Sequence, residues 1–157
     1  MFVRIEAAIG PGCELAANEM ASVFRREVRG EMGVGHPLHT ETPRAPGQPP
    51  AWISGELRNT ILNEPALPIG DAVWLSRSGP TAPWSRIQEL GGTMHAHSEK
   101  GMRWQQPPGV WHRSMVHDLP ERPYMLPAHD RLTGEDSGLT FAAATSFGAA
   151  VNTAAGL

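Results

Sequence analysis

The chain has 157 residues, of which 18% are charged and 40% hydrophobic, and its formal net charge at pH 7 is −3. This length predicts a single domain over residues 1–157. The near balance of charge excludes a general electrostatic attraction to nucleic acid. Cys13 is the only cysteine, which excludes an intrachain disulfide. The N-terminus lacks the pattern of a signal peptide. The 17 glycines and 15 prolines predict a loop-rich fold.

The N-terminal third is predicted to contain a strand and a helix. Apolar and charged residues alternate over 2–7, which favours a short strand ended by Gly10-Pro11-Gly12. Apolar residues then recur at three- and four-residue steps from about Cys13 to Met32, the pattern of an amphipathic helix. Gly33 and Gly35 are expected to end it.

A proline-rich segment over 36–50 separates this helix from the rest of the chain. It offers almost nothing to bury and is predicted to be an extended arm. Ser54 follows and is expected to cap a short turn, with Leu57 and Ile61 on one face. A strand is predicted over 71–76.

The second half of the chain alternates short elements with glycine and proline turns. The pattern predicts a short helix over 83–90, two strands over 93–97 and 110–117 joined by a long loop, and a proline-punctuated turn. A final helix is predicted over 138–155, within an uncharged segment at 137–157. That segment has the length of a membrane span, but its threonines, serine and asparagine make insertion unfavourable, so no membrane is expected.

These elements predict an α+β fold. An N-terminal helix packs on a small antiparallel β-sheet, with long loops and a C-terminal helix.

Histidines offer the main alternative to a structural role. His95 and His97 form a pair that a strand would place on one face, and His112 lies downstream. A small metal-dependent enzyme using these three residues is therefore a second hypothesis. Bound metal that disappears in a His97→Ala variant would favour it.

Other catalytic patterns are missing from the sequence. Cys13 has no histidine or acid beside it in a nucleophile motif, and Ser54-Gly55 is not a nucleophile elbow. There is no phosphate-binding glycine loop. The prediction is a protein that is not an enzyme and needs no cofactor.

Three blocks of sequence stand out, in order along the chain. They read PPAWISGELRNTI from Pro49, WSRIQELGG from Trp84 and PERPYMLPA from Pro120. Together they resemble the neck, or tail-completion, proteins of long-tailed bacteriophages. The residues that carry the resemblance, which are also the expected assembly contacts, are Pro49, Pro50, Gly55, Leu57, Arg58, Ile61, Glu89, Gly91, Gly92, Arg122, Pro123, Tyr124 and Pro127.

The resemblance implies a structural virion protein of the head–tail junction that forms a homo-oligomeric ring. Its partners would be the adjacent head-completion or adaptor protein and the tail-terminator or tail-tube protein. DNA would pass through the channel without sequence-specific binding. The protein would reside in the neck of the virion, and in the host cytoplasm during assembly. A tail-terminator ring, one level lower, is the alternative within this class.

Assembly contacts are expected at the arm and at large aromatic residues. The arm would reach across subunits and become ordered on assembly. Trp52, Trp104 and Trp111 lie in predicted arm or loop regions, where they either contact other subunits or fold back onto their own domain. Arg122 is predicted to hold its turn to Glu89 or to a neighbour.

Overall fold

The computed structural model describes residues 2–32, 45–51, 54–105, 109–133 and 138–155. Its helices and small antiparallel sheets form an α+β arrangement, which confirms the predicted fold class. The elements are α1 (Phe2–Glu31), α2 (Glu56–Asn59), β1 (Ile61–Gly70), β2 (Val73–Pro80), α3 (Ser85–Leu90), β3 (Gly92–His95), β4 (Met102–Gln105), β5 (Trp111–Ser114), β6 (Val116–Leu119), α4 (Met125–Leu132) and α5 (Gly138–Ala155).

Helix α1 is longer than its sequence predicts. The predicted strand over 2–7 is wrong, because one helix runs from Phe2 through Pro11 to Glu31. Packing against α5 explains how the helix passes a glycine- and proline-containing stretch. A Cβ atom added at Gly12 would lie 2.9 Å from the ring of Phe147, so glycine permits this close approach. Tertiary packing here outweighs the low intrinsic helix propensity of glycine and proline.

Helix α5 has the bounds that the sequence predicts, Gly138–Ala155. It packs along α1, where Phe147 and Ala150 contact Gly12. Within the described residues, no helix is long and apolar enough to cross a membrane.

Strand β1 is absent from the sequence prediction, because Pro65 and Pro68 are residues that argue against a strand. It pairs with β2 as an antiparallel hairpin, and register shifts on either side of Leu67 absorb the two prolines. Proline is tolerated at such irregularities and on edge strands. The predicted strand over 71–76 begins later, at Val73, since residues 71 and 72 form the turn.

The hairpin lies against α1 and is held there by polar contacts. Three side chains, four or more residues apart on α1, meet β1 in order along its length. The hydrogen bonds are from Arg29 Nη2 to the Ile61 carbonyl (2.9 Å), from Asn63 Nδ2 to Ser22 Oγ (3.2 Å) and from the Ala66 amide to Asn18 Oδ1 (2.9 Å).

Strands β3 to β6 form two further antiparallel pairs, β3 with β6 and β4 with β5. The predicted strand over 93–97 overlaps β3, and the one over 110–117 overlaps β5 and the start of β6, but β4 occupies the segment predicted as loop. The Ala96 amide donates to the Met115 carbonyl (2.8 Å) between the two pairs. The single small sheet of the prediction is thus divided among three two-stranded sheets, and α1 packs on the first of them.

The buried core lies where α1 ends. It is formed by side chains from α1, from the start of β1 and from α4, with partly buried neighbours around it. The core consists of Val28, Met32, Ile61, Tyr124 and Ala128, and the neighbours are Phe24, Leu57 and Met125.

Candidate functional site

The three sequence blocks, which are far apart in the chain, meet at this core. Leu57 and Ile61 come from the first block and Tyr124 comes from the third, and all three pack together. Tyr124 and Ile61 are fully buried. We call this region, with Glu89 of the second block, the motif junction.

Glu89 joins the second block to the third by capping helix α4. Its carboxylate accepts hydrogen bonds from the amides of Tyr124 (2.8 Å), Met125 (3.0 Å) and Leu126 (3.1 Å). The next residue, Pro127, has no N–H to satisfy. The unpaired donors at the start of α4 are therefore all accounted for by one carboxylate and one proline.

The predicted pairing of Glu89 with Arg122 is wrong, because the carboxylate is used on backbone amides. Arg122 instead contributes its own amide, which donates to the Gln88 carbonyl (2.9 Å). The physical reason is that the start of α4 has three backbone N–H groups without a partner inside the helix. A carboxylate can accept from all three, so Glu89 is used there instead of on the Arg122 guanidinium.

Gly91 allows the second block to pass close to the third. It has φ of 66°, and a Cβ atom there would lie 2.7 Å from the Glu121 amide nitrogen and 2.8 Å from the Leu119 carbonyl oxygen. Gly92 also has positive φ, at 151°, but it begins β3 and is exposed. Only the first of the two glycines is thus confined between backbones.

The first block begins at the end of the predicted arm, and this end packs on the domain. Pro50 is buried, Pro49 is half-buried, and the Gly47 amide donates to the Glu121 carbonyl (3.0 Å). The part of the arm at 36–44 lies outside the described residues, as does Trp52. An arm that reaches another subunit is therefore a proposal for 36–44, whereas residues 45–51 belong to the fold.

Ser54 accepts a hydrogen bond from the Glu56 amide at 3.3 Å, but it precedes the capping position, because the N-cap of α2 is Gly55. Gly55 precedes the helix in the left-handed conformation and is buried. Ile61 is not on the helix, since α2 ends at Asn59 and β1 begins at Ile61. A cavity of about 260 Å³ lies beside this turn, and its lining includes Pro50, Gly55, Arg58, Trp84 and Arg122.

Arg58 connects the first block to helix α1. Its Nε donates to the Arg29 carbonyl at 3.3 Å, and Arg29 in turn donates to the Ile61 carbonyl. Burial lowers the pKa of Arg29, and the nearby charges of Arg25 and Arg58 lower it further. The cost of partly burying a guanidinium is offset here by its bond to a strand carbonyl.

Tyr124 is one of the fully buried residues of the motif junction and has a perturbed pKa. Burial raises the pKa of its phenol to about 12, and the negative charge of Glu89 contributes to the rise. Its hydroxyl donates to the Ser85 carbonyl at 3.4 Å. The third block is thereby tied to α3 through both backbone and side chain.

Helix α4 is also held to α1 by ion pairs that the sequence does not suggest. Arg131 pairs with Glu27 at 2.9 Å and with Glu31. The two acids are four residues apart on α1, so they share one helix face. Pro123 and Pro127, the remaining motif positions, are half-buried around the start of α4.

A surface that the sequence pattern does not reveal is the outer side of the β1–β2 hairpin. Leu67 and Leu75 are directly opposite each other, and Val73 lies two residues from Leu75 on the same face. Leu67 is 64% exposed and Leu75 39%. We call Leu67, Val73 and Leu75 the apolar hairpin face. Exposed and half-buried residues alternate along 73–78 in the structure. The sequence alone does not show which set faces water, because that depends on the pairing of β2 with β1.

A groove of about 530 Å³ continues this surface towards α5. It is lined almost entirely by apolar atoms of α1, the start of β2 and α5, with Met20, Val73, Trp74, Ala143 and Phe147 among its residues. Phe141, also on α5, is 75% exposed. The apolar hairpin face, the groove and Phe141 thus leave hydrophobic surface in contact with water.

His95, His97 and His112 are not brought together into a metal site. In the described ranges, no group of three or more histidine, cysteine, aspartate or glutamate side chains is placed to hold a metal ion. His112 instead stacks on Trp104, with ring centroids 5.6 Å apart, and His117 is tilted against the same tryptophan at 4.5 Å. His95 is the last residue of β3, and His97 follows the strand and is exposed.

Trp104 and Trp111, two of the three tryptophans proposed for contacts, have different surroundings. Trp104 is half-buried between the two histidines, whereas Trp111 is 60% exposed.

Comparison with protein-family models, with curated proteins and with solved structures gave no match.

Proposed function

We propose that this chain is a structural subunit of the head–tail junction of a long-tailed phage, where it acts as a neck or tail-completion protein. In this role it forms a homo-oligomeric ring that joins the head-side connector to the tail. The role is structural and requires neither a catalytic centre nor a cofactor. The observation that carries the proposal is the uncovered apolar surface of the β1–β2 hairpin and α5, together with a motif junction built by all three sequence blocks.

The motif junction supports the proposal because each block has a definite structural task in it. Leu57 and Ile61 fill the core, Glu89 caps α4, and Tyr124 is the residue around which the core closes. These tasks connect distant parts of the chain. Ile61 and Tyr124, which are among the predicted assembly contacts, are fully buried and therefore hold the subunit together.

The apolar surface supports assembly because exposing it is unfavourable. Burying a leucine that was in water contributes about 1.5–3 kcal/mol. Large exposed apolar patches on soluble proteins mark contact surfaces.

A second copy of the chain is the proposed cover. Every residue from Ser137 to the C-terminus is uncharged, so α5 adds no charge to this surface that would have to be desolvated on contact. If the surface meets a different surface of the next copy, the contact is head-to-tail, and such contacts close into a ring when the rotation between copies permits.

The test is the position of the chain in assembled particles. Gold-labelled antibody against the chain should mark the junction between head and tail in tailed particles from cells that carry its gene. Deleting the gene should leave separate heads and tails. Label confined to the top of a completed tail would favour the tail-terminator alternative, and label absent from particles that still join normally would contradict the proposal.

A further inference from the structure

The β4–β5 pair, which we call the β4–β5 ribbon, has a charge unlike that of the whole chain. From Lys100 to His117 the sequence contains three lysine or arginine residues and neither aspartate nor glutamate, although the chain as a whole has a net charge of −3. Glu99 and Asp118 flank this stretch, and between them every charged residue is positive. The two tryptophans of the ribbon, Trp104 and Trp111, lie in the same stretch.

The two sides of the ribbon differ. On one side Trp104 stacks on its cross-strand partner His112, and His117 of β6 covers the same ring. On this side the aromatic rings therefore contact one another. On the other side, Arg103, Trp111 and Arg113 are all exposed. We call these three residues the arginine face.

The arginine face places two like charges directly opposite each other. Arg103 and Arg113 are register partners in the antiparallel pair, so their Cβ atoms are about 5 Å apart on one face. Like charges in this position destabilise a strand pair. Among the described residues, neither guanidinium is paired with a carboxylate, so this repulsion is not compensated by an acid within that part of the subunit.

Both guanidinium groups are nevertheless held in place. Arg103 lies over the ring of Trp111, 5.0 Å from its centroid, and Arg113 Nη2 donates to the Glu99 carbonyl at 3.2 Å. These interactions leave further N–H groups on each arginine for a ligand, since a guanidinium carries five. Two positioned forks on one face match phosphate oxygens, which arginine binds in bidentate geometry.

We propose that the arginine face of the β4–β5 ribbon binds the phosphate backbone of double-stranded DNA. The observation behind it is the acid-free, paired-arginine face on an otherwise acidic chain. Backbone contacts of this kind carry no sequence information. The inference rests on the proposed ring function and deepens it, because it names the element that would face the DNA in the channel.

The experiment measures binding of the full-length chain to a short DNA duplex by fluorescence anisotropy, over a series of salt concentrations. Wild type should bind two unrelated sequences equally, with an affinity that falls as salt rises. The Arg103→Gln/Arg113→Gln variant should bind at least tenfold more weakly. The slope of log affinity against log salt should become shallower by about 0.9 for each phosphate that the variant no longer neutralises.

A matched variant controls for the removal of charge alone. Arg26 and Arg77 are similarly exposed, with side chains 69% and 71% accessible, and lie on α1 and β2. Arg26→Gln/Arg77→Gln removes the same two charges and should retain nearly wild-type binding. Equal weakening in both variants would overturn the proposal, as would a wild type that does not bind the duplex at low salt.

The oligomeric state, measured in the same samples, separates this proposal from the proposed function. A wild type that forms a ring but does not bind DNA refutes the role of the ribbon and leaves the ring function standing. A monomer that binds DNA through Arg103 and Arg113 supports the ribbon and counts against the ring. Unchanged thermal unfolding of both double variants shows that weaker binding does not come from unfolding.

Discussion

The motif junction and the apolar hairpin face both consist mainly of hydrophobic side chains, but they differ in how far those side chains are buried. At the motif junction, Ile61 and Tyr124 are fully buried, and the neighbouring backbone amides have partners. At the apolar hairpin face, Leu67 remains largely in water and Leu75 partly so. The difference indicates that one region stabilises the subunit and the other is available for a partner. Substitutions in the first should therefore change unfolding, and substitutions in the second should change association.

Tyr124→Ala should have the largest effect on stability. It removes the largest fully buried side chain and leaves a cavity in the core, so we expect the free energy of unfolding to fall by about 3–5 kcal/mol. Denaturant unfolding followed by circular dichroism measures this. Leu126→Ala, at a neighbouring exposed position, is the control and should change it by less than about 0.5 kcal/mol. Equal effects would mean that the core is not where we place it.

Gly91→Ala tests the close approach of the second and third blocks. The added methyl group would meet backbone atoms at 2.7 and 2.8 Å in a positive-φ conformation, and we expect the free energy of unfolding to fall by about 2–4 kcal/mol. Gly109→Ala is the matched control, because its φ is also positive, at 90°, but nothing lies within 4 Å. That variant should be destabilised by only about 1 kcal/mol, from backbone strain alone. Indistinguishable values for the two would refute the close approach.

Glu89→Ala tests the cap of α4. Removing a carboxylate that accepts three backbone amides should lower the free energy of unfolding by about 2–3 kcal/mol. Hydrogen exchange of the Tyr124, Met125 and Leu126 amides should accelerate. Glu89→Gln keeps one acceptor oxygen and should be destabilised about half as much. If the Ala variant exchanges at the wild-type rate, the carboxylate is not the cap.

Tyr124 also predicts how stability depends on pH. Its pKa is about 12 in the folded chain and about 10 when unfolded. Below pH 10 both states hold the proton, so its contribution is constant. Between pH 10 and about 12 only the folded state holds it, and stability falls as pH rises. Because Tyr124 is the only tyrosine, phenolate absorbance reports it directly, and a midpoint near 10 in the folded protein would contradict its burial.

How far the sequence predicts this structure depends on whether local or distant residues decide each element. The bounds of helix α5 follow from the sequence, since its alanine-rich composition favours a helix without help. Strand β1 does not, because Pro65 and Pro68 argue against a strand until β2 and α1 are in place beside it. The stretch around Pro11 is helical against its local pattern, since the helix that packs on it, α5, lies near the other end of the chain.

The candidate surfaces follow the same rule. The three motif blocks are visible in the sequence, but their meeting at Tyr124 is not, since Glu89 and Tyr124 are 35 residues apart. The apolar hairpin face and the opposed arginines depend on strand register. A one-residue change of register turns every side chain to the other side of a strand, so neither face can be derived before the pairs are known.

The central claim, that the apolar hairpin face joins one subunit to the next, is tested most directly by the mass of the purified full-length chain. Sedimentation velocity over a range of concentrations should give one closed oligomer of 17.0 kDa subunits for wild type. Leu67→Lys/Leu75→Lys should be a folded monomer, and the Leu126→Lys control should assemble normally. A wild type that stays monomeric at every concentration, or a lysine double variant that assembles like wild type, would contradict the claim.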